Sequence, residues 1–213
     1  MPPMAVTPRS LVVSASSSPK IANVYGTGIV GGVDYFIKRY GPAATHTAIA
    51  RMSPQWRPYL QPNAPLIGLL GAKKYPWPFV GELLHQMALA VKVPDEDLFL
   101  RQVASAAVEA TISTVARVFL RTVVSPADVA KRAQELWDAF TDAGRITISG
   151  LTDREYLSAL SDLPGHDTVM CKVAMEGARR LVERTGVRGV EARREKCISW
   201  GHDHCLTRMR WIP

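Results

Sequence analysis

The chain has 213 residues, 47% of them apolar, and a formal net charge of +7. That length supports one domain with a sizeable core, and no apolar run reaches the roughly 20 residues of a membrane span. Three cysteines, an odd number, argue against a disulfide framework and for a reducing compartment; the N-terminus lacks a signal-peptide apolar core, so the expected location is the cytoplasm.

Residues 1–19 are rich in proline and serine and read as a flexible tail. One domain is expected over 20–213, helical over 33–143 and sheet-forming over 144–213. The run YGTGIVGG at 25–32 satisfies G-x-G-x-x-G. A dinucleotide site also needs a buried strand before this run and an acidic residue about twenty positions later. Thr45, His46 and Thr47 stand there instead, and no strand–helix alternation follows. The run is therefore read as a bend into a helix at 33–40, stopped by Gly41 and Pro42, with a second helix at 43–52. Pro54, Pro58, Pro62 and Pro65, and then Pro76 and Pro78, break the next stretch into turns. The aromatics Trp56, Tyr59, Trp77 and Phe79 are expected to plug the end of a helical layer.

Three helical segments follow at 79–91, 97–123 and 126–143, the last capped by Ser125 and ended by Gly144. Residues 103–116 are small on nearly all sides, so this helix is buried and allows either a cavity or close packing, as a core helix or a dimer seam. His85, Met87, Val108, Ile112 and Trp137 are the candidate pocket residues. Alternation places strands at 145–149 and 154–160, a helix capped by Asp167 spans 167–184, and a final hairpin pairs 187–198 with 206–212 around Gly201 and Asp203. The expected class is α+β: a helical layer packed on a mostly antiparallel, four-stranded, C-terminal sheet.

All the cysteines lie in this last part. Cys171 sits on the apolar stripe of the 167–184 helix, and Cys197 and Cys205 sit at opposite mouths of the hairpin. Alternation puts Glu195 on the face of Cys197. Three thiolates with Glu195, His202 or His204 would close a tetrahedral zinc site, structural because no position remains for water. The plainer reading makes the cysteines small core residues, and the C-x7-C spacing is looser than that of common zinc knuckles.

The helix with Cys171, its glycine-ended connection and the pattern Glu-x-Cys-x3-Gly-x3-Cys resemble the 4-vinyl reductase domain, a family that includes input domains of aromatic-responsive transcriptional activators. The resemblance implies structural zinc on Cys171, Cys197 and Cys205 beside a buried ligand pocket, homodimerisation, and a fold related to heme-based nitric-oxide sensors and Golgi-tether domains. The acidic ligand of those sensors does not carry over: Arg194 stands at its place and Glu195, chosen here as fourth ligand, is only its neighbour. The chain from about residue 20 is also similar to a myxobacterial paralogous family of unknown function, which implies a bacterial protein. A helical histidine such as His85 would be the heme ligand, but the Tyr-x-Ser-x-Arg signature of heme sensors is absent, so heme is not expected.

Arginines crowd the C-terminal third, yet no base-reading motif accompanies them, so nucleic acid is not an expected partner. No G-x-S-x-G, H-E-x-x-H, P-loop or deaminase motif is present. The expected function is a non-enzymatic module that binds a hydrophobic small molecule, with zinc as cofactor. Since the chain ends at Pro213, it would signal through a dimer surface to a separate output protein. The alternatives are a ligand-free interaction protein of the same fold and, more remotely, an accessory role in tetrapyrrole chemistry.

Overall fold

The computed structural model describes residues 21–114 and 123–213, with side chains over 21–111 and 123–213. The expected tail and the end of the 97–123 helix lie outside these residues. In order, the described chain forms β1 (Asn23–Tyr25), α1 (Val30–Ala50), β2 (Lys74–Pro76), α2 (Trp77–Ala90), α3 (Glu96–Thr114), α4 (Pro126–Lys131) and α5 (Ala133–Asp138). There follow β3 (Arg145–Ser149), β4 (Glu155–Ser161), α6 (Thr168–Glu183), β5 (Arg188–Lys196) and β6 (Cys205–Ile212). Helices come first and the sheet last, as expected for an α+β chain.

The four-stranded sheet has the order β3-β4-β6-β5, with every neighbouring pair antiparallel. Its inner face carries Tyr156 and Leu160 of β4 and Cys205, Met209 and Trp211 of β6, all buried. Alternation leaves Arg208 and Arg210 outside, where both pair with Glu155. Helix α6 packs between this inner face and α3, and α3 in turn packs on α1.

The glycine run at 26–32 serves that last contact. A Cβ on Gly31 would lie 2.4 Å from the Ala110 Cβ, and one on Gly32 would lie 2.7 Å from Val103 Cγ1. Two helix backbones approach here at a distance only glycine allows. The two helices expected at 33–40 and 43–52 are one kinked element, with Gly41 at φ 80° and ψ 176° ahead of Pro42. Similarly, the helix expected at 126–143 is divided at Arg132 into α4 and α5, while Ser125 caps it as expected, its Oγ accepting from the Asp128 amide at 3.2 Å.

A strand, β2, stands at Tyr75 where turns are expected, because the proline-flanked sequence carries no alternation. It pairs with β1 and feeds Tyr75 into a ring cluster with Tyr59 and Phe79, at centroid spacings of 6.2 and 5.7 Å. Trp56 joins Phe79 at 6.0 Å, so Trp56, Tyr59 and Phe79 form one ring cluster, whereas Trp77 packs on Trp137 at 5.6 Å instead.

Candidate metal centre and apolar cavity along one helix

Helix α6 begins at Asp167, whose Oδ1 accepts from the Met170 amide at 2.9 Å. This cap lies against α2: a Cβ on Gly81 would fall 2.1 Å from the same oxygen. The first turn of α6 is thereby fixed, and with it Cys171. That thiol meets the hairpin, with Sγ 3.4 Å from Cys205 Sγ, which is in turn 3.7 Å from Cys197 Sγ. All three cysteines are buried and free.

The fourth atom in this group belongs to His166. Its Nε2 lies 3.3 Å from Cys205 Sγ and 3.8 Å from Cys197 Sγ, and the four ligand-type atoms fall within 4.8 Å of one another. A tetrahedron with Zn–S bonds of about 2.3 Å has S–S edges of about 3.8 Å. The observed edges match that size and are too long for disulfides. On the far side of the imidazole, Nδ1 is 3.1 Å from Ser199 Oγ, itself 2.7 Å from Thr168 Oγ1. Such an outer partner fixes the ring so that Nε2 faces the sulfurs.

Glu195 does not join them. Its carboxylate accepts from Arg208 Nε at 2.6 Å on the outer face of the sheet, and that bond holds it below the usual carboxylate range. The cause is a β-bulge: Arg194 pairs with Thr207 but Lys196 pairs with the adjacent Leu206. One extra residue reverses the alternation. Cys197 therefore turns inward with Val190, Ala192 and Arg194, and Glu195 stays outside. His202 is exposed, and His204 turns to Asp203 Oδ1 at 2.5 Å. The sequence places His166 in a turn; its usable signal is its place just before the Asp167 cap, five residues ahead of Cys171.

Electrostatics order the thiols. Cys171 donates to Cys205, and this bond, with burial, raises the Cys171 thiol. Cys205 receives that bond and faces His166 and the Ile198 amide, so it is lowered and takes the first negative charge. A dication held by three thiolates and a neutral imidazole retains one net negative charge. Arg194 lies beside it, donating to the Cys171 carbonyl at 2.9 Å and favouring both thiolates.

Further along α6 the packing opens. Val173, Ala174, Gly177 and Leu181 face Val108 of α3 and Tyr156 of β4 across a cavity of about 140 Å3. Among the described residues no charged side chain lines it. Of the expected pocket residues, Val108 and Trp137 line it. Met87 is buried elsewhere in the helical core, about three turns or roughly 15 Å along α2 from Trp77, which does line it. His85 faces Glu96, with Nδ1 2.7 Å from Oε1 and a side chain 44% exposed. The side chain of Ile112 lies outside the described residues. A larger hollow of about 340 Å3 adjoins the cysteines; it is lined by the ion pairs Lys172–Asp97 and Arg101–Glu176 and by Arg194, which bonds the Cys171 carbonyl.

The layers, strand order and helix between them define the heme-nitric-oxide-binding, or H-NOX, fold. Solved structures of that fold include an Fe(II) unliganded H-NOX protein from K. algicida, 12% identical, with 89% of this chain and 97% of that one covered at a TM-score of 0.64. They also include an S. oneidensis H-NOX protein in the Fe(II)NO state, 13% identical, covering 87% and 99% at 0.60. A Shewanella woodyi H-NOX in the Fe(II)CO state is 11% identical and covers 88% and 94% at 0.62. No family model and no curated protein matches the sequence.

The described cavity wall does not fit an iron porphyrin held as the nitric-oxide sensors hold theirs. It offers iron no imidazole and no thiolate, and it offers propionates no cation. Among the described residues the histidines lie at the cysteine cluster or toward solvent.

Proposed function

We propose that this chain is a non-enzymatic sensory module. Its apolar cavity takes a small hydrophobic molecule, and a structural zinc on His166, Cys171, Cys197 and Cys205 clamps the adjoining hairpin. The observation that carries this reading is that one helix, α6, holds the cluster in its first turn and walls the cavity with its middle. A ligand that shifts α6 acts on a hairpin tied to the same helix, which supplies a route from occupancy to surface. The likeness of Cys171, Cys197 and Cys205 to the 4-vinyl reductase pattern supports the zinc, with His166 replacing the acidic ligand and Arg194 offsetting the charge. In this reading the unit spans 20–213, is cytoplasmic and bacterial, forms a homodimer and engages a separate output protein.

An interaction protein of the same fold would need no room inside, so the cavity favours the sensory reading. The test combines elemental analysis with solvent extraction of the purified chain followed by mass spectrometry. One zinc per chain and a co-purifying apolar molecule are expected. A metal-free protein with no extractable ligand would overturn the proposal.

A further inference from the structure

The strands that serve the interior also present an outer face, and no side chain on it is buried. Leu157 and Ala159 are successive outward residues of β4, and Leu206 of β6 stands opposite Ala159, so the three make one apolar patch. Its surroundings are cationic. Arg145 of β3, Arg188, Arg193 and Lys196 of β5, and Arg208 and Arg210 of β6 all stand on this face. The carboxylates among them are fewer: Glu155, Glu191 and Glu195. Arg208 takes Glu195 through Nε at 2.6 Å and Glu155 through Nη1 at 3.0 Å, and Arg210 shares Glu155. Arg193 is directly opposite Arg208 and forms no ion pair among the described residues. Like charges in that position destabilise a sheet. An apolar centre with a charged rim is the anatomy of a protein interface.

The charges select the occupant. A second copy of this face would bring surplus cations against surplus cations, so the patch does not suit a homodimer. A lipid or nucleic-acid surface, uniformly anionic, would meet carboxylates interleaved with the arginines and be repelled at each. A protein segment can place its charges one by one, as such a mosaic requires. Taking from the reading above that the chain engages a separate output protein, we infer that this protein docks on the outer face of β4, β6 and β5 through an acidic amphipathic segment. Its aliphatic side chains cover Leu157, Ala159 and Leu206, and its carboxylates meet Arg193 and the neighbouring arginines. Strand β4 joins this face to the interior: Tyr156 and Ser158 line the cavity, and Leu157 between them points to the patch. Strand β6 does the same with Cys205 inward and Leu206 outward.

The probe is a fluorescently labelled helical peptide of about five turns, with leucines at i, i+4 spacing and glutamates beside them, followed by anisotropy on the full chain. Micromolar binding is expected, weakened about tenfold by Arg193→Glu and by Leu157→Ser, and by a peptide with glutamine for glutamate. Zinc content and melting should match the parent, since neither residue touches the cysteines or the cavity; if Leu157→Ser misfolds, Arg193→Glu decides alone. No binding to the parent, or undiminished binding by Arg193→Glu, would overturn the docking face and leave the metal and cavity readings untouched. Tighter binding of phosphatidylglycerol vesicles or of a DNA duplex than of the peptide would overturn the protein assignment. A chain without zinc or extractable ligand that still binds the peptide through Arg193 would retire the sensory reading and keep the docking face.

Discussion

The two ends of helix α6 are built by opposite rules. At its start every functional atom is directed: the cap oxygen meets an amide, the imidazole is held by a hydroxyl, and three sulfurs approach within 3.4 to 3.7 Å in sequence. Two turns later the same helix presents Ala174, Gly177 and Ala178 to an empty space, where protein interiors are normally close-packed. The difference teaches where this chain places rigidity. Directed contacts are concentrated where α6 meets the hairpin, and the middle of the helix is under-packed.

Variants can break that comparison, beginning with the strongest. Cys205→Ser removes the central sulfur of the cluster and is expected to abolish stoichiometric zinc and cost about 3 kcal/mol, a melting shift of roughly 6–12 °C for a chain this size. Elemental analysis and calorimetry read both. Acidification should release the same metal, because protons compete for the thiolates. Gly81→Ala touches no ligand, yet its methyl would strike the Asp167 cap. A loss of about 2 kcal/mol and weaker zinc retention are expected in chelator competition; an unchanged melt would show that α2 does not set the cap.

Smaller effects sharpen the picture. Ser199→Ala should weaken zinc binding about tenfold by freeing the His166 ring. Glu195→Gln, by contrast, should leave zinc content untouched, and a loss of metal there would restore the carboxylate as a ligand. At the cavity end, Gly177→Ala should stabilise the chain by about 0.5–1 kcal/mol, since the new methyl meets Val108 at an ordinary 3.6 Å and removes a mid-helix glycine. That gain should come with weaker binding of a small apolar molecule such as benzene to the cavity, read by calorimetry.

Much of the architecture was legible because it is periodic. The α6 cap at Asp167, the Ser125 cap, the β3 strand and the final hairpin all follow from spacing and capping chemistry. What spacing could not show is contact between distant segments. The pairing of β1 with β2, and the descent of Gly31 and Gly32 onto Ala110 and Val103, depend on tertiary approach alone. The three cysteines could be nominated as a group because few chemistries use them together. Glu195 was nominated by strict alternation, which a bulge cancels, and His166 was passed over because a turn residue advertises no direction. The pocket residues divided similarly: Val108 and Trp137 lie beside the cavity, whereas His85 and Met87 occupy other faces of α2.

The bulge at Arg194 to Lys196 makes the length of β5 as consequential as its composition. Strand positions before it count inward residues on one parity, and Cys197 is counted on the other. If every residue here were held in an uninterrupted ladder, strict alternation would aim Cys197 at solvent, whereas an in-frame deletion of one codon at 195 or 196 would take out the extra residue and keep Cys197 facing inward. The site is thus encoded partly as a number of residues, a kind of information that substitution tables do not record.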